Sequence, residues 1–336
     1  MNPHGKAGLK VMLLLLVLAL MSAWTHYKLT VKVEGFRPLR LEHHQDVLTG
    51  LKEPPYRFRV LAPAAAEGLQ ALLPSPRERD TDAKAERLDA AYFIIVFISF
   101  LVTYGLFFRI LRRWFSVSVA LVGCLLLFAV VPLSITGFFS DDDFVTLAFY
   151  AMGFALFMSG RDFLLPFVVL VGTLNREQIA FVVVFWLAYE LAEGKLFRWR
   201  TLIILLACVA AFLIPYEALR HRRGNPPTLY TVRYHIENNI QGFGRLIRVW
   251  AVEVLPFAIL ALAGLRRAPR FFAYALATLP VYVLAFFLKG NLWELAKALP
   301  MYLILIPLSL FALFPSAKAD ARSVPSPPLK SETTPF

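Results

Sequence analysis

The chain has 336 residues, of which 58% are hydrophobic, 14% aromatic and 17% charged, and it carries a formal net charge of +12. Soluble domains have about 45–50% apolar and roughly 25% charged residues, so the composition excludes an ordinary soluble globular protein and indicates an all-α polytopic membrane protein. The basic excess does not indicate nucleic acid, because much of it sits in short loops between apolar runs (Arg109, Arg112 and Arg113; Lys195, Arg198 and Arg200; Arg266, Arg267 and Arg270), which is the distribution the positive-inside rule produces.

In chain order, Lys6 and Lys10 precede the apolar run "VMLLLLVLALMSAW", and no small-x-small cleavage site follows it. Trp24 and Tyr27 suit an interface at the far end of that span, so a retained signal-anchor helix is expected rather than a cleaved leader. About ten apolar spans follow from runs of sufficient length, with eight to eleven as the range: about 9–26, 91–110, 115–138, 144–159, 163–174, 178–193, 201–218, 249–265, 271–288 and 299–315. Spans 163–174 and 178–193 are short, as expected of a re-entrant pair or of helices that continue through the polar turn between them. Residues 1–315 are expected to form one integral-membrane domain with two long loops, 28–90 and 219–248. Residues 316–336 are rich in Pro and Ser and lack apolar periodicity, as expected of a disordered tail. Cys124 and Cys208 both fall inside apolar spans and read as small buried side chains rather than a disulfide.

Orientation follows from the charges. With both termini cytoplasmic, the short loops 109–114, 160–162, 194–200 and 266–270 all lie inside, and each carries Arg or Lys. The opposite face then receives the 28–90 loop, "SDDD" (140–143), "NRE" (175–177), the 219–248 loop and "KGNLWELAK" (289–297). Every unusual polar cluster is thereby expected on the extracytoplasmic face.

Within the first loop, "RLEHHQDV" (40–47) offers Glu42, His43, His44 and Asp46. A carboxylate there would serve as a general base if it reached an acceptor hydroxyl; the alternative is a solvated loop. The His, Asp and Glu together do not have a recognised metal-ligand spacing. "YRFR" (56–59) is expected to be extended, with Tyr56, Phe58 and Val60 on one face and Arg57 and Arg59 on the other. Two guanidiniums so placed would grip a phosphate, or snorkel to lipid head groups. A helix follows with Pro63 in its first turn and Leu69, Leu72 and Leu73 as its apolar stripe, lying on the membrane surface or against the bundle. Residues 74–89 read as a charged linker.

"SDDDF" (140–144) reads as a Ser140 cap with Asp141, Asp142 and Asp143 in the first turn of a helix. Capping explains one or two acids, and three would also supply oxygen ligands to a divalent cation. In "LNREQ" (174–178) a hairpin turn accounts for Asn175 but does not require Arg176 and Glu177. Ionised groups at such a depth need partners or water. "GNLWELAK" (290–297) puts Glu294 and Lys297 on one helical face, as an interfacial helix or part of a site. The 219–248 loop mixes basic, aromatic and amide residues and would cradle a lipid-linked phosphate or a sugar, or form a plain surface loop.

The order "PYRFRVLAP", "DDDF", "TLNREQ" and "GNLWELAKALP" over roughly residues 40–300 resembles a group of bacterial multi-pass proteins with "YRYRxLxP"-like and "LNRET"-like motifs. These are similar to the GT-C class of membrane glycosyltransferases, which take sugar from a polyprenyl-phosphate carrier at the extracytoplasmic face. The sequence departs from that pattern at Gln178, where Thr is usual, at Ala296–Lys297, where an Arg is common, and in having no clear Asp-x-Asp in the first loop. Asp46 is the nearest counterpart there, ahead of Asp80 and Asp82.

The resemblance implies a bacterial inner-membrane enzyme. Asp46, or one of Asp141, Asp142 and Asp143, would deprotonate the acceptor hydroxyl of a glycan, lipid or protein. Arg57, Arg59 and Arg176 would hold the leaving phosphate, while Asn175, Glu177, Glu294 and Lys297 would contact or orient the substrate. No cofactor is required by this chemistry, and a divalent cation would be compatible with it. The rival readings are a flippase or transporter for a lipid-linked saccharide, an O-antigen polymerase-like enzyme, and a non-catalytic scaffold. The enzyme reading expects Asp46, Arg57, Asp141–Asp143, Asn175–Glu177 and Glu294 to line one cavity.

Overall fold

The computed structural model describes residues 3–33, 35–74, 81–135 and 140–315, with side chains described from residue 8 onwards and, in the second long helix, from residue 84. The tail 316–336, the end of the third span at 136–138 and Asp80 lie outside the described residues, as does the side chain of Asp82.

Every apolar run folds as helix. The α-helices are α1 (Pro3–Thr30), α2 (Phe36–Thr49), α3 (Leu61–Leu72), α4 (Thr81–Leu111), α5 (Val117–Ser134), α6 (Asp141–Met158), α7 (Leu165–Thr173), α8 (Ala180–Ala192), α9 (Trp199–Arg223), α10 (Val232–Gln241), α11 (Phe243–Glu253), α12 (Leu255–Gly264), α13 (Arg270–Lys289) and α14 (Leu299–Leu313). No strand occurs among the described residues. Six helices are long and apolar enough to cross a membrane, or seven if the bent pair α11–α12 is one span. The multi-pass membrane architecture therefore stands, with fewer full spans than the ten expected. α6 opens on three carboxylates, α7 and α8 are too short alone, and α11 and α12 meet at 47°. Pro256 lies in the first turn of α12; it has no N–H to continue the ladder of α11, so the axis breaks there.

α14 is the hub, with 89% of its apolar window buried. A helix apolar on all sides is stable only when other helices surround it, and α12, α5, α13 and α6 pack around this one. In hydrocarbon the association rests on close packing and hydrogen bonds rather than on removal from water, which favours small residues where backbones meet. Gly264 is such a point: a Cβ added there would lie 2.0 Å from the carbonyl oxygen of Leu308. Elsewhere α1 pairs with α4 through Ser22 Oγ and Tyr104 Oη at 2.8 Å, and Phe100 of α4 packs on Phe144 of α6 with ring centroids 4.6 Å apart.

The first long loop is largely helical. Tyr56–Phe58 is a 3₁₀ turn rather than an extended segment. With three residues per turn instead of two, Arg57 and Arg59 do not share a face. α3 lies against α4 and buries Ala62, Pro63, Ala66 and Gln70. Of the expected leucine stripe, Leu69 and Leu73 pack against the core between α3 and α4, while Leu72 is 82% exposed. The charged segment 81–89 is the first part of α4 and not a linker: Asp89 is buried, 3.1 Å from Arg37 Nε and 3.6 Å from Arg40 Nη1. In the second long loop, Thr231 caps α10 by accepting a hydrogen bond from Tyr234 N.

The loops segregate into two groups. Arg113 donates to the Met158 carbonyl, Arg200 pairs with Asp162, and Trp114 packs on Phe272 at 5.1 Å, which joins the short basic loops into one cluster. In the other group, Leu61 N donates to the Leu174 carbonyl at 3.0 Å, Asn175 donates to the Asp142 carbonyl at 2.8 Å and Asn238 donates to Asn291 at 2.8 Å. The grouping is the one the charge pattern of the loops predicts.

Candidate functional site

The turn between α7 and α8 is built by packing. Gly172 permits Ile179 to close over the end of α7, since a Cβ at 172 would meet Ile179 Cγ1 at 2.7 Å. The backbone is then extended at Arg176 (φ −165°, ψ 135°) before a 3₁₀ turn, Glu177–Ile179, leads into α8. Asn175 is fully buried and donates to the Asp142 carbonyl and to Thr146 Oγ1 at 2.9 Å, so it ties the turn to the start of α6. Arg176 points along the same interface and forms an ion pair with Asp143.

Glu177 faces the other way, with 42% of its side chain exposed, and accepts from Arg59 Nη2 at 3.3 Å. Arg59 is buried, its guanidinium lies 4.8 Å from the Tyr56 ring, and its Nε has no hydrogen-bond partner among the described residues. At 294–297, Glu294 and Lys297 are ion-paired and Asn291 donates to Glu294 Oε1 at 2.5 Å. Gln178 joins this segment to the 174–178 turn. Its Nε2 donates to Tyr282 Oη and to the Lys297 carbonyl (2.9 Å), Tyr282 Oη donates to the same carbonyl at 2.6 Å, and Tyr150 Oη donates to the Gln178 carbonyl at 2.6 Å.

These segments enclose a cavity of about 180 Å³. Its charged lining is Arg59, Arg176, Lys289 and Lys297 against Glu177 and Glu294. Tyr56, Phe181, Tyr230, His235 and Phe286 form aromatic walls, and Gln178 and Asn291 add amides. The cations outnumber the carboxylates inside the cavity, and Asp143 offsets part of the charge on Arg176 from behind.

Desolvation works against each ion here, and the neighbours decide the outcome. Burial pushes the Glu177 carboxyl up, but Arg59, its own backbone N–H and Arg176 outweigh it and hold it below the usual range. Burial likewise opposes ionisation of Glu294, and Lys297, Asn291 and Arg176 hold it below the usual range. Burial pulls the Arg176 guanidinium down to about 10, with Arg59 adding to the effect against Asp142 and Glu177. Both carboxylates are thus ionised at neutral pH and Arg176 remains a cation. Burial keeps His235 below its ordinary value, so it is a neutral imidazole there.

Of the residues expected to line one cavity, only Arg176, Glu177 and Glu294 do so; Arg59 and Lys297, expected to hold the phosphate and contact the substrate, join them there. Asp46, Arg57, Asp141, Asp142, Asp143 and Asn175 are not in its lining. Asp46, on α2, is 3.5 Å from Lys52 in the segment that follows it. Arg57 donates to the carbonyls of Lys52 (2.8 Å) and Arg223 (2.9 Å), while Arg223 donates back to the Arg57 carbonyl at 2.8 Å, so the pair pins the 3₁₀ turn to the end of α9. The three aspartates diverge rather than converge on an ion. Asp141 is 3.5 Å from His26 Nε2 and from Arg40 Nη2, Asp143 pairs with Arg176, and Asp142 lies near enough to bias Arg59 and Arg176. No group of three His, Cys, Asp or Glu among the described residues is arranged to hold a metal ion. His44 bonds Tyr92 Oη at 2.9 Å and Glu67 Oε1 at 3.0 Å, and the His43 ring meets the edge of Tyr56 at 5.5 Å.

Sequence reasoning passed over Tyr56, Tyr230, His235, Lys289 and Asn291 as cavity residues. Tyr230 and His235 belong to the aromatic and amide mixture of the 219–248 segment, which was the available signal. It also passed over the buried cluster of His26, Arg40 and Asp89, which three separate helices bring together. No protein-family model, no curated protein and no solved structure matches this chain.

Proposed function

We propose that the chain is an inverting, GT-C-like membrane glycosyltransferase that moves a sugar from a polyprenyl-phosphate donor to an acceptor at the extracytoplasmic face of a bacterial inner membrane, with both termini cytoplasmic. The observation that carries this reading is the cavity in which Arg59, Arg176 and Lys297 surround two ionised carboxylates, Glu177 and Glu294, beside aromatic walls. Clustered guanidinium and ammonium groups suit a phosphate, and aromatic and amide side chains suit a sugar ring.

In this reading Glu177 takes the proton from the acceptor hydroxyl. Glu177 and Glu294 are the ionised carboxylates of the lining, and Glu177 is the more open of the two, with 42% of its side chain exposed against 27%, whereas Asp46 and Asp141–Asp143 lie outside the lining. The hydroxyl oxygen bonds to the anomeric carbon as the bond from that carbon to the phosphate oxygen breaks, and the electron pair leaves with the lipid phosphate. Arg59, Arg176 and Lys297 stabilise the charge that grows there. Glu294 holds Lys297 and Asn291 in place.

The test is incubation of the purified chain with polyprenyl-phosphate sugars and candidate acceptors, wild type against Glu177→Gln. Transfer by the wild type that Glu177→Gln loses is expected; equal transfer by the two would remove the assigned role. One observation favours a second reading, transport of a lipid-linked saccharide: α7 and α8 are short helices meeting at a buried charged turn, as in broken transporter helices. Movement of labelled lipid-linked saccharide across proteoliposomes without sugar transfer would select it.

A further inference from the structure

A second cavity lies between α2, α3 and α4, and it shares no lining residue with the charged one. It holds about 190 Å³, room for roughly six waters at liquid density. α2 lends it Leu41 and His44, α3 Glu67 and Gln70, and α4 Lys84 and Leu88. On α2 and on α4 the polar and the apolar residue are one turn apart, on the same face. α4 changes character beside the cavity: Lys84, Glu86, Arg87 and Asp89 give way to an apolar run from Ala90 onwards. The cavity therefore sits where that helix enters its span.

Hydrogen bonds fix the chemistry of its wall. Burial holds His44 below its ordinary value against the pull of Glu67, so the ring is neutral at neutral pH and carries one N–H. An ionised carboxylate only accepts. The N–H is therefore on Nε2, which donates to Glu67 Oε1 at 3.0 Å, and Nδ1 accepts from Tyr92 Oη at 2.9 Å. Glu67 is thus oriented by a neutral partner, and no Lys or Arg among the described residues pairs with it. Lys84 lines the same space, is exposed, and has no ion pair among the described residues. Gln70 is buried and donates its Nε2 to the Lys84 carbonyl at 3.3 Å, which leaves its Oε1 without a donor among the described residues. A buried polar atom of this kind calls for a polar occupant.

A carboxylate and an ammonium that line one small cavity without pairing complement a zwitterion. An anion alone would meet Glu67, and a cation alone would meet Lys84. The lining holds no aromatic ring, the seat a quaternary ammonium prefers, whereas a carboxylate and a spare amide oxygen suit a primary ammonium that donates hydrogen bonds. Leu41 and Leu88, with the position at the end of the α4 span, suit a molecule whose remainder lies in the bilayer. We propose that this cavity binds the phosphoethanolamine head of a membrane lipid, with the ammonium on Glu67 and Gln70 and the phosphate on Lys84. The bound head bridges α2, α3 and α4, and α3 in turn holds the charged turn through Leu61 N and the Leu174 carbonyl. The site stands whichever reaction the charged cavity performs.

The full-length protein in detergent is given phosphatidylethanolamine, phosphatidylcholine or phosphatidylglycerol with the same acyl chains, and retained lipid is counted by native mass spectrometry. Phosphatidylethanolamine is expected to be retained several-fold over both others. Glu67→Gln is expected to abolish the preference over phosphatidylcholine, while Glu86→Gln, exposed on α4 outside the lining, leaves it intact. Lys84→Gln is expected to lower phosphatidylethanolamine retention several-fold. Thermal unfolding supplies a second measurement: phosphatidylethanolamine should raise the midpoint of the wild type and not that of Glu67→Gln, whose midpoint without lipid shows that it is folded. Equal retention of phosphatidylethanolamine and phosphatidylcholine overturns the proposal, as does a preference that survives Glu67→Gln. Tighter retention of phosphatidylglycerol overturns it by making Lys84 a plain anion contact. Saturable binding of free phosphoethanolamine with no preference among the lipids overturns the lipid as occupant.

Discussion

The two loop clusters of this bundle use the same residue types to different ends. In the basic cluster the cations that pair do so nearby and stay exposed: Arg200 on Asp162 with 62% of its side chain exposed, Lys195 on Glu193 at 3.1 Å, and Arg267 on the Ala312 carbonyl at 3.3 Å. In the other cluster Arg59 and Arg176 keep only 7% and 5% of their side chains exposed, and with Lys297 they surround an open volume. An exposed pair costs little and contributes little. A buried ion is stable only with its counter-ion in place. Cations held in a low-dielectric wall around an open volume are therefore suited to an anion, whereas those in the exposed loops face water.

That contrast can be broken most severely at Arg176. Replacing it with Leu leaves Asp143 buried without its cation, so a loss of about 3–5 kcal/mol is expected. Thermal or denaturant unfolding in detergent measures it, and Asp143→Asn in the same chain should restore much of the stability without restoring activity. Next in size is Glu177→Gln, which keeps the side-chain shape and removes the base. Sugar transfer should fall by roughly 10²–10⁴-fold; buried Arg59 also loses its counter-ion, so the unfolding midpoint should fall too, and a merely structural role for Glu177 would show up as a lowered midpoint with transfer retained below it. Third, Lys297→Met removes one charge-assisted contact from the head-group site. Binding of a polyprenyl phosphate should weaken by about 1.5–3 kcal/mol, read as a shift in a titration curve. Smallest of all, Lys195→Gln in the basic cluster, whose pair with Glu193 is exposed on both sides, should change stability by no more than about 1 kcal/mol and leave transfer untouched. An effect there as large as at Arg176 would erase the distinction between the two clusters.

Much of this arrangement was legible because membrane sequences carry strong local signals. The apolar runs became helices, and the Arg and Lys of the short loops predicted which loops would gather together. Arg176 and Glu177 stood out because nothing in a turn requires them, and both line the cavity. Where the reading missed, three-dimensional context was decisive. Residues 56–59 alternate as a strand would, yet the chain turns there in a 3₁₀ coil because Arg57 is drawn to the Arg223 carbonyl at the end of α9. The three aspartates look alike in sequence, but successive helical residues point about 100° apart, so Asp141 meets His26 and Arg40 while Asp143 meets Arg176. Span number was overestimated because hydropathy cannot separate a crossing helix from a half-length one buried by its neighbours.

The length of Gln178 is what lets it reach both Tyr282 and the Lys297 carbonyl, 119 positions along the chain. The turn that carries Arg176 and Glu177 and the segment that carries Glu294 and Lys297 are therefore one mechanical part, a rigid jaw. Breathing of the cavity then falls to the opposing jaw, the 228–235 segment with Tyr230 and His235. Amide hydrogen exchange should be slow on the first jaw and faster on the second, and shortening Gln178 to Thr would unlock the rigid one.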